Sequence, residues 1–154
     1  MGIRPGIVIG MGLAGTLDEA VLHQLLDWHH FLERSDPSGT VSAAGRQVGL
    51  LSDGAFHLFS TLLLAAGLGA LLWRGGEALR GRGRQVAGGV LAGAGAFNLY
   101  DGAVQHKLLG LHQVRRGVEN LLPYDLAWFA VAVALLVAGV LLARSGSPAV
   151  GVRR

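Results

Sequence analysis

The chain carries six histidines, at positions 23, 29, 30, 57, 106 and 112, and no cysteine. Thiolate metal sites are therefore excluded, and imidazole and carboxylate remain as the strong ligands. Neutral imidazole suits zinc, copper, iron and nickel, whereas calcium and magnesium require oxygen-rich cages. His23, His57 and His106 fall at similar depth on three different apolar segments, which makes them the primary candidate ligands of one site. His29 and His112 are candidates for additional or access ligands. A metal-bound imidazole usually donates its second N–H to a carboxylate. Asp18, Asp53 and Asp101 are placed to accept such bonds, with Asn98 and Gln24 as further polar partners. The H-x-x-x-H helix pattern is absent, as are a phosphate-binding glycine loop and a nucleophile elbow. The expected centre is a transition metal, copper or zinc. Alternatives are a haem b held between His23 and His106, a zinc-dependent membrane hydrolase with an aspartate as general base, and a structural subunit docking a larger complex.

The elements that position these groups follow from composition. Of 154 residues, 51% are hydrophobic, 25 are glycine and only 15% are charged, against roughly 25% charged in a soluble domain. Disorder is excluded by the same figures. Crossing a hydrocarbon core takes about 20 mostly apolar residues. Four segments meet this, from about Pro5 to Leu32, Ser52 to Trp73, Gln85 to Leu111 and Tyr124 to Ala143. The expectation is a single all-α domain over residues 1–154, an integral membrane four-helix bundle in a bacterial inner membrane. Arg4, Arg74, Arg80, Arg82, Arg84, Arg144, Arg153 and Arg154 fall on one side; Arg34, Arg46, Arg115 and Arg116 fall on the other. The excess of cations places both termini in the cytoplasm. The net charge of +3 thus reports topology and contact with a lipid bilayer, and no nucleic-acid partner is expected. Gly6/Gly10 and Gly89/Gly93 form small-xxx-small pairs that let helices approach closely.

The segment Asp18–His29 matches Asp101–His112 as D-x-A-V-x-H-x-L-L-x-x-H, seven identities in twelve ungapped positions. The following helices match more faintly, with Phe129 where the first half has His57. This predicts two tandem parallel helical-hairpin repeats, related by an axis along the membrane normal. The inward halves of all four segments lack ionisable residues, so polarity is one-sided. At 1.5 Å per residue Asp18 lies about 20 Å from Pro5. An unpaired carboxylate at that depth is costly and must face the bundle interior or a wet cavity. Simple interfacial solvation accounts for His30, Asp27, Glu33 and Glu119, and an aromatic belt for Trp28, Trp73, Tyr124 and Trp128.

The runs His23-Gln24-Leu25-Leu26-Asp27-Trp28-His29-His30, Asp53-Gly54-Ala55-Phe56-His57 and Asn98 to His106 resemble an uncharacterised bacterial membrane family, domain of unknown function 2243. The resemblance covers nearly the whole chain. It implies a four-helix membrane protein. Through the family's association with respiratory-oxidase assembly factors, it also implies copper handling or support of oxidase assembly.

Overall fold

The computed structural model describes residues 3–32, 41–73, 75 and 82–145. Glu33, Arg34, Asp36, Arg74, Arg80, Arg153 and Arg154 lie outside the described residues. The architecture is all-helical. Helix α1 (Ile3–Asp18) runs directly into a π-helical segment, π1 (Glu19–Leu25); α2 covers Ala43–Trp73. Helix α3 (Gly83–Tyr100) likewise continues as π2 (Asp101–Leu108), and α4 covers Leu122–Ser145.

Three of these helical stretches, Ile3–Leu25, Ala43–Trp73 and Leu122–Ser145, are long and apolar enough to cross a membrane. The segment α3–π2 is poorer in large apolar side chains because glycine and alanine fill its two packed faces. Helix α1 packs against α2 and α3, and α3 packs against α4, giving the spatial order α2–α1–α3–α4. The outer helices therefore keep much of their surface open, with Phe59, Leu62, Val131 and Leu141 exposed, a surface that lipid tails can cover.

The central α1–α3 contact is made through backbone. A Cβ on Gly10 would overlap the Val90 carbonyl, and one on Gly93 would overlap the Ile7 carbonyl. Gly6 and Gly89 face one another, with Cβ positions about 3 Å from each other's Cα. Without a hydrophobic drive between helices in lipid, such close van der Waals packing is what holds spans together.

Both inner helices change winding at nearly the same place, at the second residue of the D-x-A-V-x-H-x-L-L-x-x-H motif in one (Glu19) and the first in the other (Asp101). π-Helical turns bond i→i+5, are rare, and cluster at functional sites. Each segment ends the same way. Leu26 N–H bonds to Val21 O at 2.9 Å and Trp28 N–H to Leu22 O at 2.9 Å; Leu109 N–H bonds to Val104 O at 2.8 Å and Leu111 N–H to Gln105 O at 2.9 Å. The residue between each pair, Asp27 (φ 49°) or Gly110 (φ 59°), is left-handed, the conformation that ends a helix and turns the chain aside. This corrects the expected span boundaries. Helical winding stops at Leu25 rather than Leu32 and at Leu108 rather than Leu111, while α2 begins at Ala43, nine residues before Ser52. His29, His30 and His112 consequently sit on connecting segments, and a uniform 100° per residue does not describe where they point.

The backbone seam makes a sharp contrast testable. Gly93→Val drives a side chain into the Ile7 backbone, and overpacking of this kind costs about 1–3 kcal/mol or more. Gly54, with nothing within 4 Å of its Cβ position, gains roughly 0.5–1 kcal/mol of helix preference on replacement by alanine. Thermal unfolding in detergent should show a lowered midpoint for the first variant and an unchanged or raised one for the second.

Candidate metal centre

Asp53 is the polar anchor of the half of the bundle that holds the ionisable side chains. It is wholly buried on α2 and accepts three hydrogen bonds: from His23 Nδ1 at 2.9 Å, from His30 Nδ1 at 2.5 Å and from Phe31 N–H at 2.8 Å. Because a carboxylate only accepts, Nδ1 of both rings carries the proton. His23 therefore directs its Nε2 away from Asp53, toward Asp18 Oδ2 at 3.6 Å. Glu19 lies alongside, its Oε2 3.0 Å from His23 Nδ1 and its Oε1 bonded to Gln24 Nε2 at 2.9 Å. The left-handed turn at Asp27 makes this possible. It folds residues 28–31 back over the bundle end, where a continuing helix would carry His30 into solvent.

The returning segment also clasps the connection after π2. Arg116 N–H bonds to Trp28 O at 3.0 Å, and His29 Nδ1 donates to Val114 O at 2.9 Å. That bond leaves the lone pair of His29 on Nε2, which is buried and without a hydrogen-bond partner. Four imidazoles then form a continuous strip. Ring centroids are 4.3 Å apart for His23 and His29, 4.7 Å for His29 and His112, and 4.5 Å for His112 and His106. At its far end His106 Nε2 lies 2.9 Å from Asp101 Oδ2, yet neither atom has a partner in hydrogen-bonding alignment. His23 Nε2 and Asp18 Oδ1 are buried without partners as well. Buried polar atoms are seldom left unpaired, and here several metal-ligating ones converge.

Three sets of side chains bring one ligand atom each within 4.8 Å of the others: His23, His29 and His112; Asp101, His106 and His112; and Glu19, His23 and Asp53. Burial pushes His29 down to about 2 and His112 down to about 4, so both rings are neutral at pH 7, the form that binds metals. Aromatic rings wall the strip: Phe56 stacks at 6.3 Å from His23, Phe31 lies 5.5 Å from His112 and Trp128 lies 5.7 Å from His106. The opposite side is open. A cleft of about 590 Å³, lined by His29, His30, Arg46, His112, Gln113 and Arg116 among others, reaches the strip from outside.

His23, His106, His29 and His112 are thus brought together with Asp18 and Asp101, and Asp53 supports His23 from behind. His57 is not part of this arrangement. The buried stripe of α2 consists of Gly49, Asp53, Ser60 and Gly67, and at 100° per residue His57 points about 65° off its centre. Its side chain is exposed. Asn98 also stands apart: its backbone carbonyl accepts Trp128 Nε1 at 2.9 Å, and the residue lines an apolar cleft of about 390 Å³ beside Asp18, Leu13 and Leu135. Sequence reasoning passed over His30 and Glu19. His30 was hidden by the premature helix end, whereas Glu19 sits four residues before His23, a spacing that places both on one helix face.

Removing the anchor carboxylate gives a measurable effect. Asp53→Ala strips three donors, two of them buried imidazoles, of their acceptor, a loss of about 3–5 kcal/mol for a broken buried pair; His57→Ala should stay within about 0.5 kcal/mol of the parent, as exposed positions do. Chemical or thermal unfolding of the two variants in detergent reads the difference.

No curated protein and no solved structure matches the chain. A family model described as a predicted membrane protein of domain of unknown function 2243 matches residues 5–146. With the apolar helices and this arrangement of side chains already in view, the match over nearly the full length places the chain in that family of predicted membrane proteins.

Proposed function

We propose that this protein is a transition-metal-binding membrane protein, taking copper or zinc in its His/Asp pocket on the extracytoplasmic side. It crosses a bacterial inner membrane four times, α3–π2 being the fourth span, with both termini cytoplasmic. The observation that carries the reading is the convergence of His23, His29 and His112, whose ligand atoms lie within 4.8 Å of one another, with His29 and His112 lining an open cleft. A buried, aromatic-walled set of imidazoles with unpartnered ring nitrogens has its best use as a metal site. The arginine distribution supports the orientation. The shared hydrogen-bond pattern that ends π1 and π2 supports an origin from two tandem hairpins.

An open mouth suits exchange of the ion with another protein. With the family's association, this favours copper handling or oxidase assembly, with a membrane-bound assembly factor as partner. A haem b between His23 and His106 is less well served: His29 lies 4.3 Å from His23 and 6.0 Å from His106, so it occupies the intervening space.

Elemental analysis of protein purified from metal-supplemented cells tests the reading. Bound copper or zinc is expected in the parent and in His57→Ala, with loss in His23→Ala and His29→Ala. Metal-free parent protein, or a Soret band, overturns it. A C-terminal green fluorescent protein fusion should fluoresce, as it does only on the cytoplasmic side.

A further inference from the structure

Asp18 borders two spaces. One is the strip of imidazoles; the other is an apolar cleft that metal binding does not use. Helices α1 and α4 both pack against α3, and side chains of all three line a space of about 390 Å³. Leu13 of α1, Leu91 and Ala94 of α3 and Leu135 of α4 supply apolar walls, while Asp18, Asn98 and Trp128 stand toward one end. A space of this size, mostly apolar with a few fixed polar groups, has the build of a small-molecule site.

The Asp18 carboxylate is short of donors. It is 8% exposed, its Oδ1 has no hydrogen-bond partner, and its Oδ2 lies 3.6 Å from His23 Nε2. Asp53, by contrast, accepts three hydrogen bonds. A neighbouring histidine can balance the charge of Asp18, but one contact at that distance leaves most of its acceptor capacity unfilled. Buried polar atoms are seldom left so, and an ionisable side chain at membrane depth marks a functional position.

Depth restricts what can supply the donor. The stretch Ile3–Leu25 and helix α4 are both long and apolar enough to cross a membrane. Asp18 therefore lies about 10 Å short of the far surface of a hydrocarbon core about 30 Å thick. Phospholipid head groups stay at that surface, and an acyl chain has no donor to offer. The occupant must be lipid-soluble and neutral, and must carry a hydroxyl down to the carboxylate. Trp128, held through its Nε1 by the Asn98 carbonyl at 2.9 Å, gives that head a fixed aromatic wall, which suits a flat ring.

We infer that the cleft binds a quinol, a dihydroxy aromatic ring on an apolar tail. One O–H donates to the Asp18 carboxylate, the ring lies beside Trp128, and the tail runs along Leu13, Leu91 and Leu135. The Asn98 amide, able to donate or accept, lines the same end. Asp18 then separates a lipid-side ligand from the imidazole strip. The inference rests on α1 and α4 lying in the membrane and does not require a bound metal.

The test is isothermal titration calorimetry of full-length protein in detergent, under anaerobic conditions, with a decyl-tailed benzoquinol. Saturable binding of one quinol per chain is expected. The dimethyl ether of the same quinol keeps ring and tail but has no O–H. It should bind about tenfold more weakly or worse, the effect of losing a hydrogen bond to a charged group. Equal binding of ether and quinol overturns the role of Asp18. Equal binding of dioleoylglycerol, an aliphatic alcohol, overturns the aromatic head, and absence of saturable binding overturns the site. These comparisons use the parent protein, so a misfolded variant cannot imitate them. Ala94→Leu, which fills the cleft and leaves Asp18 in place, should weaken the quinol about tenfold or more; unchanged affinity overturns the location. Zinc content measured on the same samples reports on the metal site separately, so either reading can fail without the other.

Discussion

Backbone contact between α1 and α3 sets the width of the pocket above it. Gly6 and Gly10 lie against Gly89 and Gly93 so closely that a single added carbon would meet carbonyl oxygen. The two π segments emerge from this seam side by side, and imidazoles from one reach those of the other: His29 and His112 stack at 4.7 Å. Large side chains in the seam would force the helices apart and draw these rings away from one another. Apolar packing in one half of the bundle is thus the condition for polar chemistry in the other.

The change of winding at Asp18 and Asp101 adds what a straight helix lacks. A wider turn leaves backbone carbonyls out of the usual i→i+4 ladder and shifts every later side chain around the axis. It also permits the left-handed stop at Asp27 and Gly110. The chain then doubles back, so that His29 and His112 approach from above while His23 and His106 approach from the side. The connecting segments hold one another through Arg116 N–H to Trp28 O and His29 to Val114 O. Arg115, 5.1 Å from the centre of the Trp28 ring and 5.3 Å from that of Tyr124, adds a cation–π clasp outside.

Concentrating carboxylates and imidazoles inside an aromatic-walled space raises the electrostatic cost of every charge there, since the surroundings screen poorly. Asp53 meets that cost with three donors. Asp18 and Asp101 have no such set of donors and instead face the strip of imidazoles. The difference separates a carboxylate that orients its neighbours from carboxylates that are positioned to bind something themselves.

Hydropathy and repetition were legible along the chain, because they depend on composition and on spacing within one segment. They located the apolar helices, the one-sided polarity, the glycine pairs and the recurrence of Asp18–His23–His29 as Asp101–His106–His112. A 3.6-residue period cannot announce its own interruption, so the early ends at Leu25 and Leu108 and the recruitment of His30 to Asp53 were decided by the folded chain. The exclusion of His57 was decided there too. Its depth matched that of His23, but depth is set by position along a helix, whereas the direction a side chain faces is set by which stripe its helix buries. On α2 that stripe runs through Gly49, Asp53, Ser60 and Gly67, where small residues allow α1 to come close.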